Sequence, residues 1–189
     1  MATTSQPYGL IPINFPTGRS DLRAIPAGIA SGYGSNIYKG SPVMFDTNGN
    51  IIIATTNADI AGVFMGCEFF TSGNSLETKK QNWVSGTTYN TGTMIAYIID
   101  DPNQKYKIQA NGSLAQTSVG DEADFVNPGS GSGVWSTAQI STTLAGAGNQ
   151  AQLRILGLAT DVTTAWGDNY TDVVVEIARH QRRANKVAI

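Results

Sequence analysis

The chain has 189 residues, enough for one domain with a sizeable core or for a core plus extended arms. Only 14% of the residues are charged and 41% are hydrophobic, so neutral polar side chains and glycine must supply most of the surface. The net charge of −2 argues against a nucleic-acid-binding domain, because phosphate binding requires clustered Lys and Arg.

The first 27 residues are rich in proline and in apolar side chains. Prolines at positions 7, 12, 16 and 26 forbid a continuous helix and cannot lie in a central strand. The apolar residues between them need a surface to lie against, which is either the rest of the chain or a neighbouring subunit. We therefore predict an extended N-terminal arm at residues 1–27.

Residues 28–178 alternate short apolar runs with turns rich in Gly, Asn and Asp. Residues 104–109 alternate with period two, which is typical of a half-exposed strand. Asp46-Thr-Asn-Gly49 predicts a hairpin, because Asn-Gly accepts the positive φ values of such turns. About nine to eleven short strands with no long helix predict an all-β domain, either a single β-barrel or a jelly-roll-like sandwich.

Residues that could support catalysis are few. The one histidine, His180, lies among arginines with no carboxylate near it in sequence to orient it. The one cysteine, Cys67, lies in the apolar run 62–70 and is predicted to be a small buried hydrophobe, and a lone thiol excludes an intrachain disulfide. We predict no catalytic residue, no cofactor and no metal site, and therefore no enzyme.

Three other groups of residues each have a functional and a structural interpretation. Asp46 to Asn50 resembles the start of a calcium loop but lacks the Glu at loop position 12, so a hairpin is favoured. The acidic residues 121, 122 and 124 favour a solvated strand edge over a carboxylate cluster. The three tryptophans at positions 83, 135 and 166 favour core or interface anchors over a sugar-stacking platform.

The C-terminal residues 179–189 are predicted to form a short basic tail. Arg179, Arg182, Arg183 and Lys186 favour a solvated tail, with contact to an acidic neighbouring surface as the alternative. No apolar run is long enough to span a bilayer, and the polar first residues lack the apolar stretch of a secretory signal. We expect the chain to be made in a cytoplasm and to have no membrane partner.

Several motifs together resemble a family of small tailed-phage structural proteins. They are Pro7-Tyr-Gly-Leu10 and the segments 32–43, 62–70, 100–102, 141–158, 165–170 and 173–180. Proteins of this family are similar in size and composition to capsid decoration (cement) proteins. The resemblance implies an oligomer on the capsid exterior of a virion, made in the host cytoplasm. Its expected partners are the phage major capsid protein and further copies of itself, with a homotrimer placed before a dimer.

This interpretation makes the arm the main candidate for binding. Extended proline segments lose little entropy on ordering, and arms that order on assembly add avidity. The alternatives are another phage component, such as a head-fibre base or a tail or receptor-binding module, and a carbohydrate-binding β module. The candidate capsid or subunit interface consists of Pro7, Tyr8, Leu10, Ile11, Ile13, Phe15, Trp166, Tyr170, Arg179, Arg182 and Arg183.

Overall fold

The computed structural model describes residues 4–13, 22–73, 76–160 and 164–183. In this part of the chain there are fourteen strands and one short 3₁₀ helix at Gln116–Ser118. The strands are β1 Ile11–Pro12, β2 Leu22–Pro26, β3 Pro42–Phe45, β4 Ile51–Ile53, β5 Gly62–Phe70, β6 Glu77–Lys80, β7 Ile95–Ile99, β8 Lys105–Gln109, β9 Glu122–Val126, β10 Gly131–Ser132, β11 Trp135–Ser136, β12 Gln139–Leu144, β13 Leu153–Leu158 and β14 Asp172–Ile177.

Two antiparallel sheets form a β-sandwich. Sheet one has the order β1-β8-β14-β13-β9-β12, and sheet two has the order β2-β7-β5-β3-β4 with β6 beside β5. The short strands β10 and β11 form a separate hairpin. The predicted all-β class and sandwich are confirmed, whereas the alternative of a closed barrel is wrong. The strands outnumber the predicted nine to eleven, because several are only two or three residues long.

The alternation along β8 shows why these residues form strands. Tyr106 and Ile108 are buried while Lys105 and Lys107 between them are half-exposed, as the period-two pattern predicts. The central neighbour β14 repeats the pattern with Val173, Val175 and Ile177 buried. Branched aliphatic side chains suit a pleated, half-buried surface, so the two strands pair over five residues.

The first core lies between the two sheets. Sheet one contributes side chains such as Ile108, Val175 and Phe125, and sheet two contributes Val63 and Ile99. A second core lies on the other face of sheet two, where the register of β5 and β7 places Phe64 beside Ile98 and Cys67 beside Ala96. Each sheet-two strand that is buried on both faces therefore reads as a nearly continuous apolar run, as in 62–70.

The second core is covered by loops. Ile29, Ile37 and Trp83 are fully buried in it, although none of them lies in a strand of either sheet. The Trp83 ring centroid is 5.8 Å from that of Phe69 and 6.2 Å from that of Tyr89, with edge-to-face geometry in both pairs. Its indole N–H donates to the Tyr33 carbonyl at 3.3 Å, so the polar end of the ring is satisfied. Trp83 is the central residue of this loop cover.

The predicted turn between β3 and β4 is a hairpin. The Asp46 carboxylate accepts hydrogen bonds from the backbone N–H groups of Asn48 at 2.9 Å and Asn50 at 2.8 Å. Gly49 has a φ of 81°, which residues with a Cβ rarely adopt. These bonds close the turn with the carboxylate oxygens that a calcium loop would use, and they support the hairpin interpretation over the calcium loop.

Both terminal segments are integrated into the sheets. β1 pairs with β8 at one edge of sheet one, and β2 pairs with β7 over five residues in sheet two. After β14, a parallel bridge joins His180 to Ile60. In the residues that the structure describes, no helix is long and apolar enough to cross a membrane.

Candidate interaction surface

The N-terminal segment at residues 4–13 lies along the edge strand β8. Leu10 is fully buried in the first core, so its side chain is used inside the chain and is not exposed for a partner. Pro7, Tyr8, Ile11 and Ile13 are half-buried, so each retains some exposed apolar surface. The segment is thus extended, as predicted, but it packs on its own domain. Phe15 lies outside the described residues.

Tyr8 fixes one end of this segment. Its hydroxyl donates to Oδ1 of Asp172 at 2.9 Å, and the Lys107 Nζ lies 5.2 Å from its ring centroid. The backbone N–H of Gln6 donates to Oε1 of Gln109 at 2.9 Å. These contacts join residues far apart in sequence, which is why pattern reading alone did not reveal them.

Trp166 and Tyr170 lie in the turn just before β14. Trp166 packs partly against the first core, and Tyr170 is half-buried. The Thr164 hydroxyl donates to Oδ2 of the same Asp172 that accepts the Tyr8 hydroxyl, at 3.3 Å. The turn and the start of the N-terminal segment therefore meet at this carboxylate.

The basic cluster lies near the opposite end of β8 and is paired. Arg179 Nε donates to Asp59 Oδ1 at 2.9 Å, and Arg182 forms a 2.6 Å ion pair with Asp100. Arg183 donates to Asn103 Oδ1 at 2.5 Å. The interpretation as a solvated tail is therefore wrong for residues 179–183, because folded carboxylates and amides hold these side chains. Lys186 lies outside the described residues.

His180 is fully buried between these arginines. Its Nδ1 accepts the backbone N–H of Arg182 at 3.1 Å, which places the ring proton on Nε2, and Nε2 has no hydrogen-bond partner among the described residues. Burial lowers the pKa of His180, and the charges of Arg183 and Arg182 act in the same direction against Asp100 and Asp101. The imidazole is a neutral packing group that anchors the chain after β14.

The segment along β8 brings the predicted interface residues together. Tyr8 lies at the end of β8 that borders Asp172 and the Trp166 turn. Ile13 lies at the other end, where its N–H donates to the Lys105 carbonyl and its carbonyl accepts from the Gln104 side chain, next to the Asn103 that binds Arg183. We call this edge of sheet one, with residues 6–13, the Trp166 turn and Arg183, the segment edge.

The tryptophans do not form one platform. Trp83 is buried in the second core and Trp166 packs on the first, which confirms the core interpretation for Trp83. Trp135 is 42% exposed in the β10–β11 hairpin, with the Lys39 Nζ 4.7 Å from its ring centroid. The interpretation of the acidic residues 121, 122 and 124 as a solvated edge is wrong for Glu122. That side chain is fully buried, forms a 2.6 Å ion pair with Arg154 and accepts the Ala151 N–H.

Sequence reading missed a groove on the outer part of sheet two. The groove has a volume of about 300 Å³, its floor includes Leu22, Met65 and Tyr97, and its wall includes Glu68 and Lys79. The Tyr97 hydroxyl donates to Glu68 Oε1 at 2.7 Å, and this bond lowers the pKa of the Glu68 carboxyl. Lys79 lies opposite Glu68 in the register and 3.4 Å from its Oε2. The signal was the alternation of Glu77-Thr-Lys-Lys80, which is too short to identify as a strand without its partner.

Cys67 is buried beside this groove, as predicted, and burial raises the pKa of its thiol to about 12. The thiol is therefore uncharged at neutral pH and is a poor nucleophile. Within the described ranges, no group of three or more His, Cys, Asp or Glu side chains is placed to hold a metal ion. Comparisons with protein-family models, curated proteins and solved structures find no match.

Proposed function

We propose that this chain is a structural protein of a tailed-phage particle, which binds the outside of the assembled capsid and cements neighbouring major capsid proteins. The observation that carries the proposal is the segment edge. Interface candidates from three distant parts of the sequence, at Tyr8 to Ile13, Trp166 and Arg183, lie along one edge strand. The resemblance of the sequence to small phage structural proteins gives this edge its expected partner.

The chemistry of the segment edge suits a shell partner. Pro7, Ile11 and Ile13 are only half-buried, so a neighbouring subunit gains apolar contact by covering them. Neutral polar side chains dominate a chain in which only 14% of residues are charged, and such groups are cheaper to desolvate than ions. A rigid antiparallel body then holds the edge in one shape, which reduces the entropy lost on binding.

A cryo-EM map of the source particle tests the proposal. We expect density that fits this sandwich in many copies on the outer surface of the shell, with the segment edge against the major capsid protein. A few copies confined to the tail would instead support a tail or receptor-binding component. Absence from the particle would contradict both.

A rebinding assay tests the edge itself. Shells stripped of the protein are mixed with the wild type, with Ile11→Asp or with Ile13→Asp, and bound protein is measured after sedimentation. We expect each variant to bind at least about tenfold more weakly, a loss of about 1.4 kcal/mol. Val119→Asp is the matched control, because Val119 is exposed and lies away from this edge. Equal binding by all four folded proteins would contradict the proposed edge.

One observation favours a carbohydrate-binding module as a second candidate. Trp135 is the exposed tryptophan of the described residues, and sugar rings stack on such side chains. Lys39 lies over the ring, so at least part of the indole is already engaged within the chain. A glycan array with the wild type and Trp135→Ala separates the candidates. Binding that is lost in the variant would support the module, and no binding by the wild type would eliminate it.

A further inference from the structure

The outer part of sheet two has a face that no other described element covers. Along β5 and β7, Val63 and Ile99 are fully buried in the first core, while Met65 and Tyr97 farther along the same face are only half-buried. Sheet one therefore covers one end of this face and leaves the other end open. We call the uncovered part the open face, and it consists of Leu22, Met65, Glu68, Phe70, Lys79 and Tyr97.

A bulge in β5 gives the open face its groove. The register between β5 and β7 shifts between Phe64 and Gly66, so Gly66 rather than Met65 lies opposite Tyr97. A Cβ at Gly66 would lie 2.8 Å from the Lys80 carbonyl oxygen, so only glycine allows β6 to approach this closely. The floor beside it has about 300 Å³, near the lower limit for ligand pockets, and fits a few side chains.

The same face also carries projections. Leu22 is 56% exposed at the rim of the groove, and Phe70 is 36% exposed at the far end of β5. Exposed apolar side chains beside an apolar groove are the two halves of one contact. A face that has both a groove and projecting side chains can bind a second copy of itself, in which each partner fills the groove of the other.

The charges around the groove have the same property. Glu68 and Glu77 carry two negative charges, and Lys79 and Lys80 carry two positive charges, so the rim is neutral with both signs alternating. A strongly acidic or basic partner would leave half of these charges without an opposite. A second copy related by a two-fold axis presents Lys to Glu and Glu to Lys.

From this complementarity of shape and charge, we infer that the open face is a self-association surface, through which two copies of the chain form a face-to-face dimer. The four strands β2, β7, β5 and β6 at about 4.8 Å spacing and about 3.4 Å per residue give a face of only about 300 Å². Stable interfaces bury about 800 Å² per partner, so the dimer is weak and concentration-dependent. The inference does not depend on the phage function, since it concerns the chain alone.

Sedimentation velocity of the isolated full chain over a hundredfold concentration range tests the inference. We expect the weight-average mass to rise from 20.0 kDa towards twice that value. Leu22→Glu and Phe70→Glu should each raise the dimer dissociation constant at least tenfold, because each places a charge in the buried apolar contact. Val119→Glu is the matched control, since Val119 is 47% exposed but lies outside the open face.

Far-UV circular dichroism and the Tm confirm that each variant is folded, and two variants are used so that one misfolded protein does not decide the result. A mass that stays at 20.0 kDa at every concentration would overturn the inference. So would an equal loss of association in Val119→Glu, because that would indicate unspecific apolar contact. An oligomer that persists in both open-face variants would also overturn it and would place self-association on another surface.

Discussion

The two hydrophobic cores of this chain are built in different ways. The first core lies between two sheets, and strands supply most of its buried side chains. The second core has a sheet on one side only, and loop residues such as Ile29, Ile37 and Trp83 close the other side. Strand pairing fixes the backbone around the first core through ladders of hydrogen bonds. The loop cover depends instead on a few large side chains and isolated bonds, such as the Tyr89 hydroxyl to the Ile29 carbonyl at 2.7 Å.

This difference determines where the molecule should open first. Local opening requires less free energy where fewer ladder hydrogen bonds must break. We therefore expect the cover of the second core to open before the sandwich, while sheet two remains attached to the first core through Val63 and Ile99.

Trp83→Ala should have the largest effect on stability. Trp83 is fully buried and contacts both Phe69 and Tyr89, and truncating a buried tryptophan costs about 3–5 kcal/mol. Chemical denaturation measures the free energy of unfolding, and hydrogen exchange locates the loss. We expect amides near residues 29–37 and 83–89 to lose protection much more than those of β8 and β14. Uniform loss across both cores would contradict the proposed independence of the cover.

Arg154→Met should have the next largest effect, and it acts on the first core. Glu122 is fully buried, and its ion pair with Arg154 leaves the Arg side chain only 18% exposed. Removing one partner of a buried pair leaves an uncompensated charge and costs about 3 kcal/mol. Denaturation at neutral pH measures the loss. The double variant Glu122→Gln with Arg154→Met should recover much of it, and equal stability of the single and double variants would contradict this account.

Leu10→Ala should cost about 2–3 kcal/mol, because Leu10 anchors the N-terminal segment in the first core. Ile11→Ala is the matched control, since Ile11 is half-buried in the same segment and should cost less. Thermal unfolding measures both. Equal effects would indicate that the segment is held mainly by its pairing with β8. Deletion of residues 1–27 should be more damaging than either substitution, because it also removes β2 from sheet two.

Sequence patterns predicted the elements more successfully than their partners. Alternation identified β8, and the Asn-Gly turn after Asp46 identified the β3–β4 hairpin, because both signals are local. The burial of Cys67 followed from the apolar run around it. A barrel could not be distinguished from a sandwich, because closure depends on which edge strands meet. The segment edge, the burial of Glu122 and the groove beside Tyr97 all require contacts between residues distant in the sequence.

His180 should give the smallest effect and one that depends on pH. In the folded chain, burial and the neighbouring Arg183 lower the pKa of His180 below its ordinary value of 6.5. Protonation would also put a proton on Nδ1, which now accepts the Arg182 N–H. The unfolded chain takes up a proton near pH 6.5 and the folded chain does so only at lower pH. The contribution is therefore fully present above about pH 6.5 and is lost as the pH falls towards the lowered pKa.

The measurement is the free energy of unfolding of the wild type and His180→Asn between pH 7.5 and 5. Asn retains an acceptor near the position of Nδ1 but does not titrate in this range. Each pH unit in the affected window can remove at most about 1.4 kcal/mol, so the slope is small but measurable. Because His180 is the one histidine of the chain, the wild-type slope just below pH 6.5 should disappear in the variant. Parallel profiles would show that other groups set the pH dependence and that the anchor after β14 remains neutral in both folded and unfolded chains.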